Sequence, residues 1–184
     1  MISNALLLLL LCNFVAIGLL PLMFFKKDGE YNLRWLLTRA PFLVAPIALL
    51  LGTMGVLAPV FNFATQLLAV PLAVLSISLM AMTIGSHRIP LALWHQDNDA
   101  PQELVTWGPY AVVRHPFYSS FILALLAAAI AFVHPVTLLC LLYGTAVLTV
   151  TAIREERRLA SSSFGAEYVK YMQTSGRFFP RILR

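Results

Sequence analysis

Charge is what this sequence has least of. Lys, Arg, Asp and Glu make up 11% of its 184 residues and hydrophobic residues 60%, whereas soluble domains carry about 25% charged residues. That shortage excludes an ordinary water-soluble domain and points to a protein of the bilayer; the mean hydropathy of +0.82 agrees. Cysteine is scarce too. Cys12 and Cys140 each lie inside an apolar run, with no CxxC or Cys/His spacing, which argues against a zinc site or a disulfide framework and for buried, inert thiols. Met1 to Asn4 hold no Lys or Arg, and no small-residue cleavage site follows the first apolar run. That run therefore reads as a membrane anchor that stays, not as a signal peptide. Internal repeats and low-complexity segments are absent beyond the apolar runs themselves.

What is present is a series of apolar segments, placed at about Ala5–Phe25, Pro41–Leu57, Phe63–Ile84, Phe117–Val133 and Val136–Ile153, each near the length that crosses a bilayer. The expected fold is all-α: a polytopic membrane protein with about five transmembrane helices and a C-terminal cytoplasmic amphipathic helix. It forms a single membrane domain, with three N-terminal helices in residues 1–84 and the rest in 85–184. Pro46 inside the second segment predicts a kink whose freed carbonyl a neighbouring helix must accommodate. Ala124, Ala127, Ala128 and Ala131 give the fourth segment small-xxx-small spacing, which lets another helix approach closely. His134-Pro135 makes a tight break, so segments four and five form a hairpin. Beyond them Arg154–Tyr171 reads as a helix outside the bilayer, with Leu159, Phe164, Tyr168 and Tyr171 roughly on one face; the two tyrosines are expected to pack against the bilayer surface.

The basic residues orient this arrangement. Lys26, Lys27, Arg34 and Arg39 lie in the first loop, Arg88 and Arg114 in the long connection, and Arg154, Arg157, Arg158, Lys170, Arg177, Arg181 and Arg184 in the tail; these are all thirteen in the chain. Five crossings put every one of them on the same side, which by the positive-inside rule is cytoplasmic, with the N-terminus outside. Chemistry should face the cytoplasm.

The candidate site starts with Leu104–Ser120, LVTWGPYAVVRHPFYSS. Gly108-Pro109 punctuates the chain, and Arg114-His115-Pro116 reads as a helix start with Pro in the first turn. Arg and His donors thus stand beside unpaired backbone N–H groups, a setting that favours an anion. Hairpin geometry places Tyr118, near the start of segment four, at the depth of Glu155 and Glu156, just past the end of segment five. Asp97 and Asp99 suggest a polar loop and not a metal pair, because no third ligand is spaced to join them. His87 and Arg88 mark the bilayer interface, and His134 a turn on the outer side.

LVTWGPYAVVRHPFY, then the Glu155-Glu156 pair, then FGAEYVKY and a late RFFP resemble the integral-membrane methyltransferases of the isoprenylcysteine carboxyl methyltransferase type, whose core the phospholipid N-methyltransferases share. The resemblance covers about Ile84 to the C-terminus. It implies S-adenosyl-L-methionine bound in a pocket closed from the cytoplasm. Gln102, Glu103, Leu104 and Val105 would line the cofactor, with Tyr110, His115, Pro116, Phe117 and Tyr118 forming the rest of the pocket. Glu156 matches the family's cofactor-binding Glu, and His95 is the nearest counterpart to an upstream polar contact. The chain departs from the family pattern in having Ser120 where Gly is frequent. The Arg that meets prenylcysteine in the eukaryotic enzymes would fall near Ala152, with Arg154 close by but out of register.

Methyl transfer from a sulfonium needs no metal; the protein mainly orients the reactants and excludes water. Arg114 and His115 are expected to hold the methionine carboxylate, and Glu156 to lie near the amine or ribose. Arg154 and Glu155 are the candidate catalytic residues, Glu155 or His95 serving as base when the acceptor is an amine. The acceptor is expected to be a lipid or lipophilic small molecule entering from the bilayer; neither nucleic acid nor a metal is expected as a partner. The rival readings are a phospholipid, small-amine or thiol methyltransferase, an NADPH-dependent membrane reductase (sterol reductases resemble the family around RHPxY), and a non-catalytic scaffold.

Overall fold

The computed structural model describes residues 3–24, 33–60, 64–86 and 104–181. Among them the chain forms α1 (Asn4–Phe24), α2 (Leu33–Thr53), α3 (Ala64–Ser86), a short 3₁₀ turn (Gly108–Ala111), α4 (Pro116–Ala131), α5 (Pro135–Ala160) and α6 (Gly165–Thr174). The stretch Gln66–Ser86 of α3 and the whole of α5 are long and apolar enough to cross a membrane; α1 and α2 have 21 residues each and α4 has 16. Large apolar side chains face outward along these helices, among them Leu43, Ile47, Leu67, Leu75, Leu139 and Leu142. Continuous apolar surface of that kind is a membrane-facing or partner-facing feature.

α4 is the central element, packed chiefly on α3 and also on α5, while α2 lies along α5 and α1 touches α2, α3 and α4. The small residues explain how. Ala124, Ala127 and Ala128 are wholly buried, as are Ala69 and Ala73 on α3, so backbones approach closely and gain dispersion contacts. A buried polar node ties three helices together. Asn13 donates to the Ala73 carbonyl at 3.0 Å, and Ser76 Oγ lies 2.9 Å from Asn13 Oδ1 and 2.7 Å from the Ser120 carbonyl. Ser120 thus belongs to a helix–helix contact: its hydroxyl donates to the Phe117 carbonyl at 2.7 Å.

Two helix boundaries differ from those expected. α2 begins at Leu33 rather than near Pro41, because LRWLLTRA has good helix formers and hydropathy marks only where the apolar part starts. Pro41 therefore sits inside the helix and leaves the Leu37 carbonyl without its intrahelical donor. Tyr143 of α5 supplies one, its hydroxyl donating to that oxygen at 3.2 Å. α5 continues through Arg154–Ala160, so the expected helix Arg154–Tyr171 is divided between the last two turns of α5 and α6. Serines make the break. Ser162 Oγ donates to the Leu159 carbonyl and accepts from the Phe164 N–H, offering the backbone an alternative to the helix ladder.

His134 caps α5: its Nδ1 accepts from the Val136 N–H at 3.2 Å, and Thr137 closes the capping box. The Val60 N–H donates to the Val133 carbonyl at 2.8 Å, so the α2–α3 and α4–α5 connections meet at one end. The 3₁₀ turn, α6 and the tail gather at the other. There Trp107 Nε1 donates to the Ser86 carbonyl at 3.0 Å, and Gly108 turns the chain with φ of +61°, a conformation that favours glycine.

Candidate active site at the α4–α5 entrance

Three segments distant in sequence converge where α4 begins. α4 starts as expected, with His115 at the N-cap and Pro116 in the first turn, but the His115 side chain makes no cap bond. It turns instead to α5. Its Nδ1 lies 3.2 Å from Glu155 Oε2 and its Nε2 3.4 Å from Glu156 Oε1; that second approach lacks hydrogen-bond alignment, leaving Nε2 buried without a hydrogen bond. Tyr118, one turn on, stacks on the imidazole with ring centroids 5.4 Å apart and donates to Glu155 Oε1 at 2.7 Å. Consecutive positions on a helix point about 100° apart, so the paired glutamates serve different partners. Glu155 faces His115 and Tyr118; Glu156 faces arginines.

Arg114 Nε donates to Glu156 Oε1 at 2.9 Å, with both side chains less than a tenth exposed. The other side of Glu156 is held by Arg177, whose Nη2 lies 2.6 Å from Oε2 and whose Nε lies 3.1 Å from Oε1. Arg114 also donates to the carbonyls of Met172 and Ser175. The tail is clasped against the residues before α4 by an isolated parallel bridge, Val113 with Gly176. Its bonds are Gly176 N–H to the Val112 carbonyl (3.0 Å), Arg114 N–H to the Gly176 carbonyl (2.8 Å) and His115 N–H to the Arg177 carbonyl (3.1 Å). The anion drawn to this helix entrance is thus the chain's own Glu156.

Tyr110, Arg114, His115, Tyr118, Glu155 and Glu156 are brought together around this point. The Tyr110 carbonyl accepts from the Tyr171 hydroxyl, and burial, with Tyr171 and Glu155 nearby, pushes the Tyr110 phenol well above its ordinary pKa. Leu104 and Val105 are half-buried on the approach to the 3₁₀ turn. Pro116 is buried at the first turn, and Phe117 points into the apolar core against Phe121. Arg154 is not brought in; it is exposed, on a different face of α5 from the buried Glu156. His95, Gln102 and Glu103 lie outside the described residues, as do His87, Arg88, Asp97 and Asp99. Tyr168, expected on the bilayer face, is instead buried, its ring 5.9 Å from that of Tyr171. Burial and the nearby Glu156 carboxylate hold its phenol well above the ordinary range. Sequence reading missed Arg177. The late RFFP motif was its only signal, and it carries no hint of the partner. Among the described residues no group of three or more His, Cys, Asp or Glu side chains is arranged to hold a metal ion.

His115 makes the cluster pH-sensitive. Burial alone lowers an imidazole pKa, but the hydrogen bond to Glu155 and the charges of Glu155 and Glu156 outweigh it, so His115 titrates above its ordinary value. A folded-state pKa above the unfolded one contributes stability that is complete below about pH 6.5 and lost as pH rises through the folded value. The protein is expected to melt at progressively lower temperature, relative to His115→Gln, as pH is raised above about 6.5. Parallel melting curves for the two proteins across that range would remove His115 as the titrating group.

A family model described as phospholipid methyltransferase matches residues 64–167, the span holding the whole cluster except Arg177. A cobalt-zinc-cadmium resistance protein, CzcN of Cupriavidus metallidurans, is 30% identical over 113 residues, covering 58% of this chain and 52% of that protein. The chain therefore spans about half the length of the curated relative it matches. With more than half of its residues, α3 through the first turn of α6, inside the family match, the chain belongs to the phospholipid methyltransferase family.

Proposed function

We propose that this protein is an integral-membrane methyltransferase that uses S-adenosyl-L-methionine to methylate a lipophilic acceptor. The observation that carries the reading is the meeting of Arg114, His115 and Tyr118 from the α4 entrance with Glu155 and Glu156 of α5, inside the family match. In this reading the apolar helices α1–α5 cross the bilayer and the cluster lies on the cytoplasmic side with the C-terminus. The absence of Lys and Arg from the α2–α3 and α4–α5 connections supports that orientation.

The residues present fit such a cofactor. Its ammonium and ribose hydroxyls need acceptors and its carboxylate a donor. Glu155, 15% exposed at the side chain, offers the acceptor, and the buried His115 Nε2, without a hydrogen bond, offers a polar contact of either kind. Leu104, Val105, Tyr110, Pro116 and Phe117 would line the remainder, along with Gln102, Glu103 and His95 as the family pattern implies. When bound, S-adenosylmethionine supplies a methyl group on a cationic sulfur, open to displacement by a nucleophile. Arg114 and Glu156 then act as a fixed wall that orients the site, and the tail and α6 exclude water from its rear.

Isoprenylcysteine-type carboxyl methylation is the acceptor chemistry suggested by the motif order, and a carboxylate or thiolate acceptor needs no base. Phospholipid or small-amine methylation is favoured by a specific observation: Glu155 is held by the Tyr118 hydroxyl and the His115 imidazole and is more exposed than Glu156, so it can take a proton from an amine.

Calorimetric titration of the purified protein with S-adenosylhomocysteine tests the cofactor; saturable binding is expected, with no rise in melting temperature on adding NADPH. Stabilisation by NADPH and none by S-adenosylhomocysteine would replace this reading with the reductase. Glu155→Gln should lower kcat by about 10²-fold or more with phosphatidylethanolamine as acceptor, and with a prenylcysteine analogue should weaken cofactor binding without that fall in kcat.

A further inference from the structure

Two arginines converge on Glu156, Arg114 and Arg177. Charge balance needs only one of them. Arg114 is the buried one and is already anchored by the carbonyls of Met172 and Ser175, so the contribution of Arg177 must lie elsewhere. We propose that Arg177 is a positioning residue of the site: the tail delivers its guanidinium to Glu156 and so sets the angle of that carboxylate beside Arg114 and His115, which would shape the cofactor's pocket. The inference rests on the methyltransferase reading above.

Geometry argues for orientation. Arg177 grips Glu156 as a fork, with Nε near both oxygens (3.1 and 3.2 Å) and Nη2 on Oε2 at 2.6 Å. A planar fork on a planar carboxylate removes its rotation, which a single donor does not. With Oε2 held in this way, Oε1 is directed at Arg114 Nε and His115 Nε2. The backbone that carries Arg177 is itself fixed: its carbonyl accepts from the His115 N–H, and the next carbonyl, of Phe178, accepts from Ser119 Oγ at 2.7 Å. The Phe178 ring meets the His115 imidazole edge-on at 6.1 Å. Adjacent tail residues therefore touch Glu156 of α5 and His115 at the α4 entrance. The Arg177 side chain is 35% exposed while that of Glu156 is 5%, so the fork closes the cluster from its open side.

The test is titration with S-adenosylhomocysteine of wild type, Arg177→Met and Arg177→Lys, with Kd referred to the folded fraction. A merely structural role lowers the melting temperature and leaves that Kd unchanged. A positioning role weakens binding by Arg177→Met on the order of tenfold. Arg177→Lys, which keeps the charge without the fork, should recover only part of the affinity. If Arg177→Met does not fold, Arg177→Lys decides: weakening of about threefold or more supports the proposal, and wild-type affinity overturns it. Unchanged Kd in both variants, with a wild type that binds, also overturns it. A wild type that does not bind S-adenosylhomocysteine overturns instead the methyltransferase reading on which the proposal rests.

Discussion

Glu156→Ala is expected to lower stability by about 3–5 kcal/mol, the usual consequence of removing one partner from a buried ion pair. The Arg114 guanidinium would remain almost fully buried, held by the Met172 and Ser175 carbonyls without a carboxylate among the described residues, and a cation left that way cannot recover its hydration. Arg177 would lose its anchor at the same time, so the tail should become accessible to proteases well below the melting temperature. Glu156→Gln should lose less, about 2 kcal/mol, because the amide oxygen still accepts from one arginine. Glu155→Gln is the control. Its side chain is more exposed and its partners are a phenol and an imidazole, so a loss of about 1 kcal/mol or less is expected. Thermal unfolding of the three variants in the same detergent measures all of this. A Glu156→Ala protein that melts with the wild type would mean that the cluster does not hold the tail to the bundle.

Gly176→Ala should undo the same assembly from the backbone side. A Cβ at this position would collide with the Phe179 carbonyl oxygen and stand 3.1 Å from the Arg181 nitrogen. Those are backbone atoms of the tail's own turn, which cannot swing aside as a side-chain tip would. The turn must open, and with it go the Gly176 bonds to Val112 and Arg114 and the approach of Arg177. A cost of about 2 kcal/mol or more is expected, the range of overpacked sites, with early proteolytic release of the tail. Gly18→Ala, at a helical site where nothing lies within 4 Å, should be neutral or stabilising by about 0.5–1 kcal/mol. Equal melting temperatures and equal proteolysis for the two variants would show that the turn tolerates a side chain and that the clasp is looser than the geometry implies.

Most of the helices were legible because their causes are local. Apolar runs, His134-Pro135 and the RHP triplet mark where segments begin and end within a few residues, and Ala124, Ala127 and Ala128 announced a close helix contact that α3 supplies. Local reading failed where the determinant was distant. Hydropathy placed the start of α2 at Pro41, because nothing near Leu33–Ala40 reveals that Tyr143, on another helix, will satisfy the carbonyl that Pro41 frees. It also ran Arg154–Tyr171 together as one helix, since an apolar stripe does not register serines competing for backbone bonds.

For the cluster, chain order and hairpin geometry by themselves determined that the α4 entrance and the Glu155-Glu156 pair would share one depth; that depends only on helix lengths and one tight turn. Which glutamate meets which cation was decided by tertiary structure. The rotation of about 100° between neighbouring positions matters only once α4 and α5 have packed face to face. Arg177 was invisible for a related reason: an arginine in a short polar tail has no local pattern that distinguishes solvent from a buried carboxylate. Only the parallel clasp between Val113 and Gly176, a pairing of distant backbone, carries it to Glu156.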